Sequence, residues 1–204
     1  ATTSSAKNVL RICVNGNGLR GFLSYFFRKF PHVLTEYRID VDHGVHPEPG
    51  HKLKYDVVIS PYDFEMIGGS TQLVGFNQLR FCATPPYIER LGLPDLNDRR
   101  RHCLVVPKLL IQMHEIWNSL AALEAECASS FKVQSVHESL FVINQGFGFG
   151  LVTEQAQTAR HRVLEGFPSV EHPVYLGVGK EFLADASNAP LIELMTEQAQ
   201  VFLT

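Results

Sequence analysis

The chain has 204 residues, 45% of them hydrophobic and only 19% charged, which excludes a disordered or collagen-like polymer and leaves room for one large or two small folded units. Eighteen Lys and Arg against 21 Asp and Glu give a formal net charge of -3, so overall charge supplies neither a nucleic-acid grip nor a polybasic membrane patch. No apolar run approaches the roughly 18 residues of a membrane span, and no secretory leader pattern opens the sequence. A cytoplasmic protein is the expectation.

Residues 1–8 (ATTSSAKN) are small and polar and read as a linker, with no initiator Met, so a preceding segment is expected. Leu10–Val14 (LRICV) has strand character and breaks at Asn15-Gly16-Asn17-Gly18. Gly21–Phe30 places Phe22, Leu23, Phe26, Phe27 and Phe30 at helical spacing, and Pro31 stops it. Leu34–Val41 predicts a second strand. Tyr55–Ser60 (YDVVIS) predicts a short strand buried on both faces of a parallel sheet. Leu79–Thr84 is strand-like and runs into Pro85-Pro86 and a short helix over Tyr87–Leu91. Cys103–Val106, Ile111–Trp117 and Phe131–Val136 are compact apolar pieces. Ser139–Asn144 predicts a helix ending at Gly146, followed by a strand over Phe149–Val152 and a short helix over Glu154–Ala159. Pro173–Val178 is a strand, and Ala189–Phe202 a closing amphipathic helix. Strands alternating with helices imply right-handed crossovers and an α/β class.

Three constellations carry chemistry. Gly16-Asn17-Gly18-Leu19-Arg20-Gly21 is a literal G-x-G-x-x-G between a strand and a helix, with Glu36, Asp40 and Asp42 placed to meet a ribose. The same orphan N–H groups suit any anion, so a dinucleotide site and a plain anion-friendly turn stand side by side. Asp42–His51 gathers three histidines with Asp42 and Glu48, a chelating set in principle, but its prolines and glycines read as an exposed loop and no metal is expected. Hydrolytic motifs are missing: there is no G-x-S-x-G elbow, no H-E-x-x-H and no P-loop, so no catalytic residue is assigned. The cysteines (Cys13, Cys82, Cys103, Cys127) have no metal-type spacing; Cys103 and Cys127 are a conceivable redox pair.

Taken together, "FFRKFPHV", "YDVVIS", "LRFCATPPYIERLGLP" at Leu79–Pro94 and "VQSVHESLFVINQGFGFGLVTEQ" resemble, in order and over nearly the full length, the effector-binding domain of LysR-type transcriptional regulators. Two departures stand out: the His43–His51 loop replaces a helix, and Thr153 stands where the family usually has proline. The resemblance implies a type II periplasmic-binding-protein-like fold of two α/β lobes, residues 9–82 plus 177–204 and residues 83–176, with a ligand cleft between them. By position, it lines that cleft with Asn15, Gly16, Asn17, Ser60, Pro61, Thr84, Ser135, Val136 and His137. It further implies a sensor that is not an enzyme and has no cofactor. A small metabolite, anionic or aromatic, would bias lobe closure and the geometry of a dimer or tetramer. DNA would be met only through an N-terminal domain not in this chain. The apolar stripe of the Gly21–Phe30 helix is expected in the dimer interface. Arg20, Arg80 and His137 are candidates to pair with a carboxylate. A stand-alone solute-binding protein of the same fold and an NAD-dependent oxidoreductase using Gly16–Gly21 are the alternatives.

Overall fold

A computed structural model describes residues 8–15, 19–43, 54–61, 66, 68–108 and 114–204. The chain divides into two compact units, residues 1–76 with 172–204, and residues 77–171. The boundaries lie a few residues earlier in each connecting strand than the resemblance places them.

In the first unit, β1 (Asn8–Val14) lies between β2 (Tyr37–His43) and β3 (Val57–Ser60), parallel to both, and β3 pairs antiparallel with β9 (Val170–Val178). β3 is buried at every residue, as a strand covered on both faces must be. Helix α1 (Arg20–Lys29) connects β1 to α2 (Val33–Glu36) and β2. Its stripe of Phe22, Leu23 and Phe26 is buried in the unit's own core, and Phe22 meets Phe202 of α7 (Ala189–Leu203) edge-on at 5.8 Å. Those three residues cover the unit's own sheet, while Phe27 and Phe30 of the same stripe are half-buried. A short helix, α6 (Lys180–Ala184), links β9 to α7.

Residues 34–36, expected to begin a strand, belong to the helical turn Val33–Glu36 instead. Pro31 starts it, and the Thr35 hydroxyl donates to the His32 carbonyl at 2.6 Å, a local bond that outcompetes extension. The strand starts only at Tyr37.

The second unit orders β4, β7 (Phe149–Thr153), β5 (Cys103–Pro107) and β6 (Ser129–Val133) side by side. β4 spans Ser70–Ala83, and its part from Asn77 belongs to this unit. β7 is antiparallel to β4 and parallel to β5, and β8 (Arg162–Val163) covers the end of β4. Leu79, Phe81, Leu104, Phe149 and Leu151 form the core on one sheet face with Leu120 and Leu123 of α4 (His114–Glu126). Val142 and Ile143 of α5 (Val136–Asn144) pack with Cys82, Val105 and Val152 on the other. Helix α4 extends well past the apolar piece read at Ile111–Trp117, because the alanine- and glutamate-rich segment after Asn118 favours helix without a marked stripe.

The run of alternate glycines at Gly146, Gly148 and Gly150 is explained by geometry. Gly146 takes φ 72° behind α5, where its N–H and that of Phe147 bond back to Ile143 and Val142, a helix-ending Schellman motif. A Cβ on Gly148 would lie 2.7 Å from Val105 Cγ2 and 2.8 Å from the Cys103 carbonyl oxygen, and one on Gly150 2.8 Å from the Val105 oxygen. Those two glycines let β7 approach β5.

Candidate functional site

Ligands of α/β sheets gather where parallel strands end, since neighbouring helix starts and loop N–H groups point there. In the first unit the Asn15 N–H donates to the Ile59 carbonyl at 2.8 Å, setting Asn15 beside Ser60 and Pro61 at the ends of β1 and β3. Asn15 is 3% exposed, and its Nδ2 is buried without a hydrogen-bond partner among the described residues. Ser60 is fully buried beside Tyr175 of β9. The structure thus brings Asn15, Ser60 and Pro61 together. Gly16, Asn17 and most of the His43–His51 loop lie outside the described residues. Helix α1 opens without an acidic residue in its first turn or a side-chain cap.

In the second unit Ser135, Val136 and His137 follow β6 and open α5. The Ser135 hydroxyl accepts the Glu138 N–H at 3.3 Å, and the Glu138 carboxylate accepts the Gln134 N–H at 2.7 Å, a variant of the capping box. This helix start is already occupied by a carboxylate, which works against a second anion there.

Thr84 is elsewhere. β4 runs antiparallel to β7, pairing Leu79 with Thr153 and Cys82 with Gly150, so its C-terminal end lies beside the start of β7. Thr84 therefore sits at the opposite sheet edge from Ser135–His137. Its hydroxyl donates to the Ile143 carbonyl at 3.2 Å, tying α3 (Pro85–Leu91) to the end of α5. Pro85 and Pro86 carry no N–H, and those of Tyr87 and Ile88 bond to the Thr84 carbonyl, so the start of α3 offers no donor. Arg80 is spoken for as well, bridging Glu154 at 3.5 Å.

The β4 residues at the Ser135 edge are instead those around Asn77, two residues before the Leu79–Thr153 pair. Asn77 is 1% exposed and Thr153 4%, and Asn77 Oδ1, Thr153 Oγ1 and Gln155 Oε1 are buried without partners. Sequence reasoning missed this group. The available signal was an asparagine inside an otherwise alternating strand, VGFNQLRF.

The Pro-Pro-Tyr motif holds the opposite edge. The Tyr87 hydroxyl accepts the Cys103 N–H at 3.0 Å and lies 3.1 Å from His102 Nδ1, both Tyr87 and His102 being fully buried. Burial pushes the tyrosine up to about 12, so the phenol keeps its proton and donates to Nδ1. Burial also lowers His102, which stays neutral with its proton on Nε2.

The four cysteines are thiols. Burial raises Cys127 to about 11, with Arg99 opposing, and Cys82 to about 11, with Arg80 opposing. Among the described residues no group of three potential metal ligands converges, and no helix is long and apolar enough to cross a membrane.

No protein-family model and no curated protein matches the chain. Solved structures do. The C-terminal domains of a LysR family protein from Agrobacterium tumefaciens align with a TM-score of 0.70 at 17% identity, covering 97% of this chain and 99% of that one. The regulatory domain of CrgA, a LysR-type transcriptional regulator from Neisseria meningitidis, gives 0.70 at 14% identity over 95% and 100%. The Synechocystis CcmR regulatory domain, solved in complex with 2-PG, gives 0.65 at 15% identity over 94% and 98%. The chain accordingly has the type II periplasmic-binding-protein-like fold of LysR-type regulatory domains.

Proposed function

We propose that this chain is the effector-sensing regulatory domain of a LysR-type transcription factor and carries no catalytic activity of its own. The observation that carries the proposal is the match of nearly the whole chain to regulatory domains of such regulators, one of them in complex with a small molecule. The effector is a small metabolite, and the residues proposed to meet it are the strand-end residues Asn15 and Ser60 in the first unit and Ser135, Val136 and His137 in the second. Gly16, Asn17 and Pro61 belong to the same proposal by sequence position, and the resemblance favours an anionic or aromatic metabolite. Thr84, with its hydroxyl already bonded, serves as a structural anchor.

Binding shifts the population of domain conformations, and the change is read through a homo-oligomer. The surface we assign to self-association is the outer edge of the first unit. There β2 ends the sheet, Leu34 is 45% and Val41 37% exposed, and α1 adds Phe27. DNA contact belongs to a separate N-terminal domain of the regulator, and the working compartment is the cytoplasm.

A thermal-shift screen of organic acids, aromatic metabolites and NAD(P)(H) tests the proposal. A ligand at about 100 times its Kd stabilises by about 2.7 kcal/mol. Stabilisation by a metabolite, lost in Asn15→Ala and Ser135→Ala, is expected. Stabilisation by a dinucleotide alone would replace the sensor with the oxidoreductase alternative. A strictly monomeric chain at all concentrations would favour a stand-alone solute-binding protein.

A further inference from the structure

The strand-end edge of the second unit has a chemical bias of its own. Leu79 pairs with Thr153 and Phe81 with Leu151, and Leu79, Phe81 and Leu151 share one core cluster. Alternation along the strands therefore puts Thr153 and Asn77 on that same face. β7 ends at Thr153, and Gln155 lies in the one-turn helix that follows, Glu154–Ala156. Arg80 takes the other face of β4 and is bridged to Glu154. Two positions on one sheet face thus present Asn77 Oδ1 and Thr153 Oγ1, each buried and neither hydrogen-bonded among the described residues.

Asn77 Oδ1 is an amide oxygen that only accepts, and Thr153 Oγ1 belongs to a hydroxyl able to do either. Buried oxygens without donors are rare in folded proteins and call for a partner. The formal charges at this edge are Lys108, exposed after β5, Glu138, exposed at the start of α5, and Glu154, which follows β7 and is bridged to Arg80. Lys108 and Glu138 oppose each other in sign and Glu154 is paired, so charge does not select the ligand here. Hydrogen-bond polarity does: a bare carboxylate brings no proton to Asn77 Oδ1, whereas an amine, amide N–H or hydroxyl does.

We infer that Asn77 and Thr153 form a specificity-determining subsite for a hydrogen-bond-donating group of the effector. This rests on the effector-sensing reading and adds the chemistry of one part of the ligand. The subsite constrains only the portion of the effector it meets, which is an amine, an amide or an alcohol.

Matched pairs differing in one donor test the inference on the 204-residue chain: 4-hydroxybenzoate and 4-aminobenzoate against benzoate, glycolate against acetate, and benzamide against acetophenone. Thermal shift ranks them and calorimetric titration gives Kd. The donor-bearing member is expected to bind about tenfold more tightly or better, since its absence strands a buried acceptor. Asn77→Leu and Thr153→Val should reduce that preference to about threefold or less. They should also leave the Tm of the unliganded chain unchanged or raised, because neither removes a bond. Equal binding of both pair members overturns the inference while leaving the sensor reading intact. A lowered unliganded Tm in both variants overturns it too, by making these groups structural. A panel with no binder counts against the subsite and the sensor alike.

Discussion

Replacing Tyr87 by Phe removes one oxygen and probes the anchor of the Pro-Pro-Tyr motif. The ring remains packed, fully buried, against the core of the second unit, so cavity formation is negligible and the loss is polar. Two groups lose their partner: the Cys103 N–H at 3.0 Å and His102 Nδ1 at 3.1 Å. A stranded buried group costs about 1–3 kcal/mol. Cys103 is only half-buried, so water compensates its N–H in part, while His102 has no exposure at all. The sum is about 2 kcal/mol, equivalent to a Tm lower by about 4–8 °C in a chain of this size. Urea unfolding of Tyr87→Phe, His102→Phe and the double variant measures it. The histidine's other nitrogen, Nε2, is already unpartnered, so His102→Phe sheds that burden along with the bond. A coupling energy of about 1 kcal/mol between the two sites is expected. A Tyr87→Phe cost below about 0.5 kcal/mol, or strict additivity, would refute the proposed proton arrangement.

Other outcomes follow from the same geometry. Gly148→Ala should lower stability by about 1–3 kcal/mol, since its Cβ meets the Cys103 carbonyl at 2.8 Å and backbone must move; a neutral thermal melt would contradict it. Burial lowers His172, which is 7% exposed and lies 3.3 Å through Nδ1 from the Pro173 carbonyl. With its folded pKa depressed, the unfolded chain takes up the proton first. Stability is therefore held above about pH 6.5 and falls below it, by at most about 1.4 kcal/mol per pH unit for one histidine. Urea midpoints between pH 7.5 and 5.5 should fall less steeply in His172→Gln, and an unchanged slope would count against this assignment. Cys127, raised to about 11, should react with iodoacetamide at pH 7.5 about tenfold or more slowly than an unstructured cysteine. Peptide mapping by mass spectrometry checks this, and fast labelling would revive a redox role.

Local sequence carried much of the fold. Phe22, Phe26 and their neighbours at helical spacing, the fully apolar VVIS strand and the stop at Gly146 all depend on side-chain periodicity and backbone freedom, which are properties of short segments. Where periodicity was weak or a local bond intervened, as in α4 and at Thr35, the structure departed from expectation. The adjacency of Asn15, Ser60 and Pro61 was legible for the same reason: each follows a parallel strand, and parallel strands end on one edge.

Thr84 was not legible, because its place depends on strand direction. Following a strand puts a residue at that strand's end, but β4 runs against β7, so the end of β4 lies across the sheet from Ser135. The polarity of the second unit's strand-end edge was equally hidden. Asn77 and Thr153 are far apart in sequence and ordinary in composition; only the β4–β7 register brings them to one face, and only burial leaves their oxygens without donors. By itself the sequence determined an α/β chain with its elements in order and a family resemblance to look for. Tertiary structure decided which strand ends share an edge and which polar atoms are left unpaired there, since pairing direction and burial are set by contacts between distant segments.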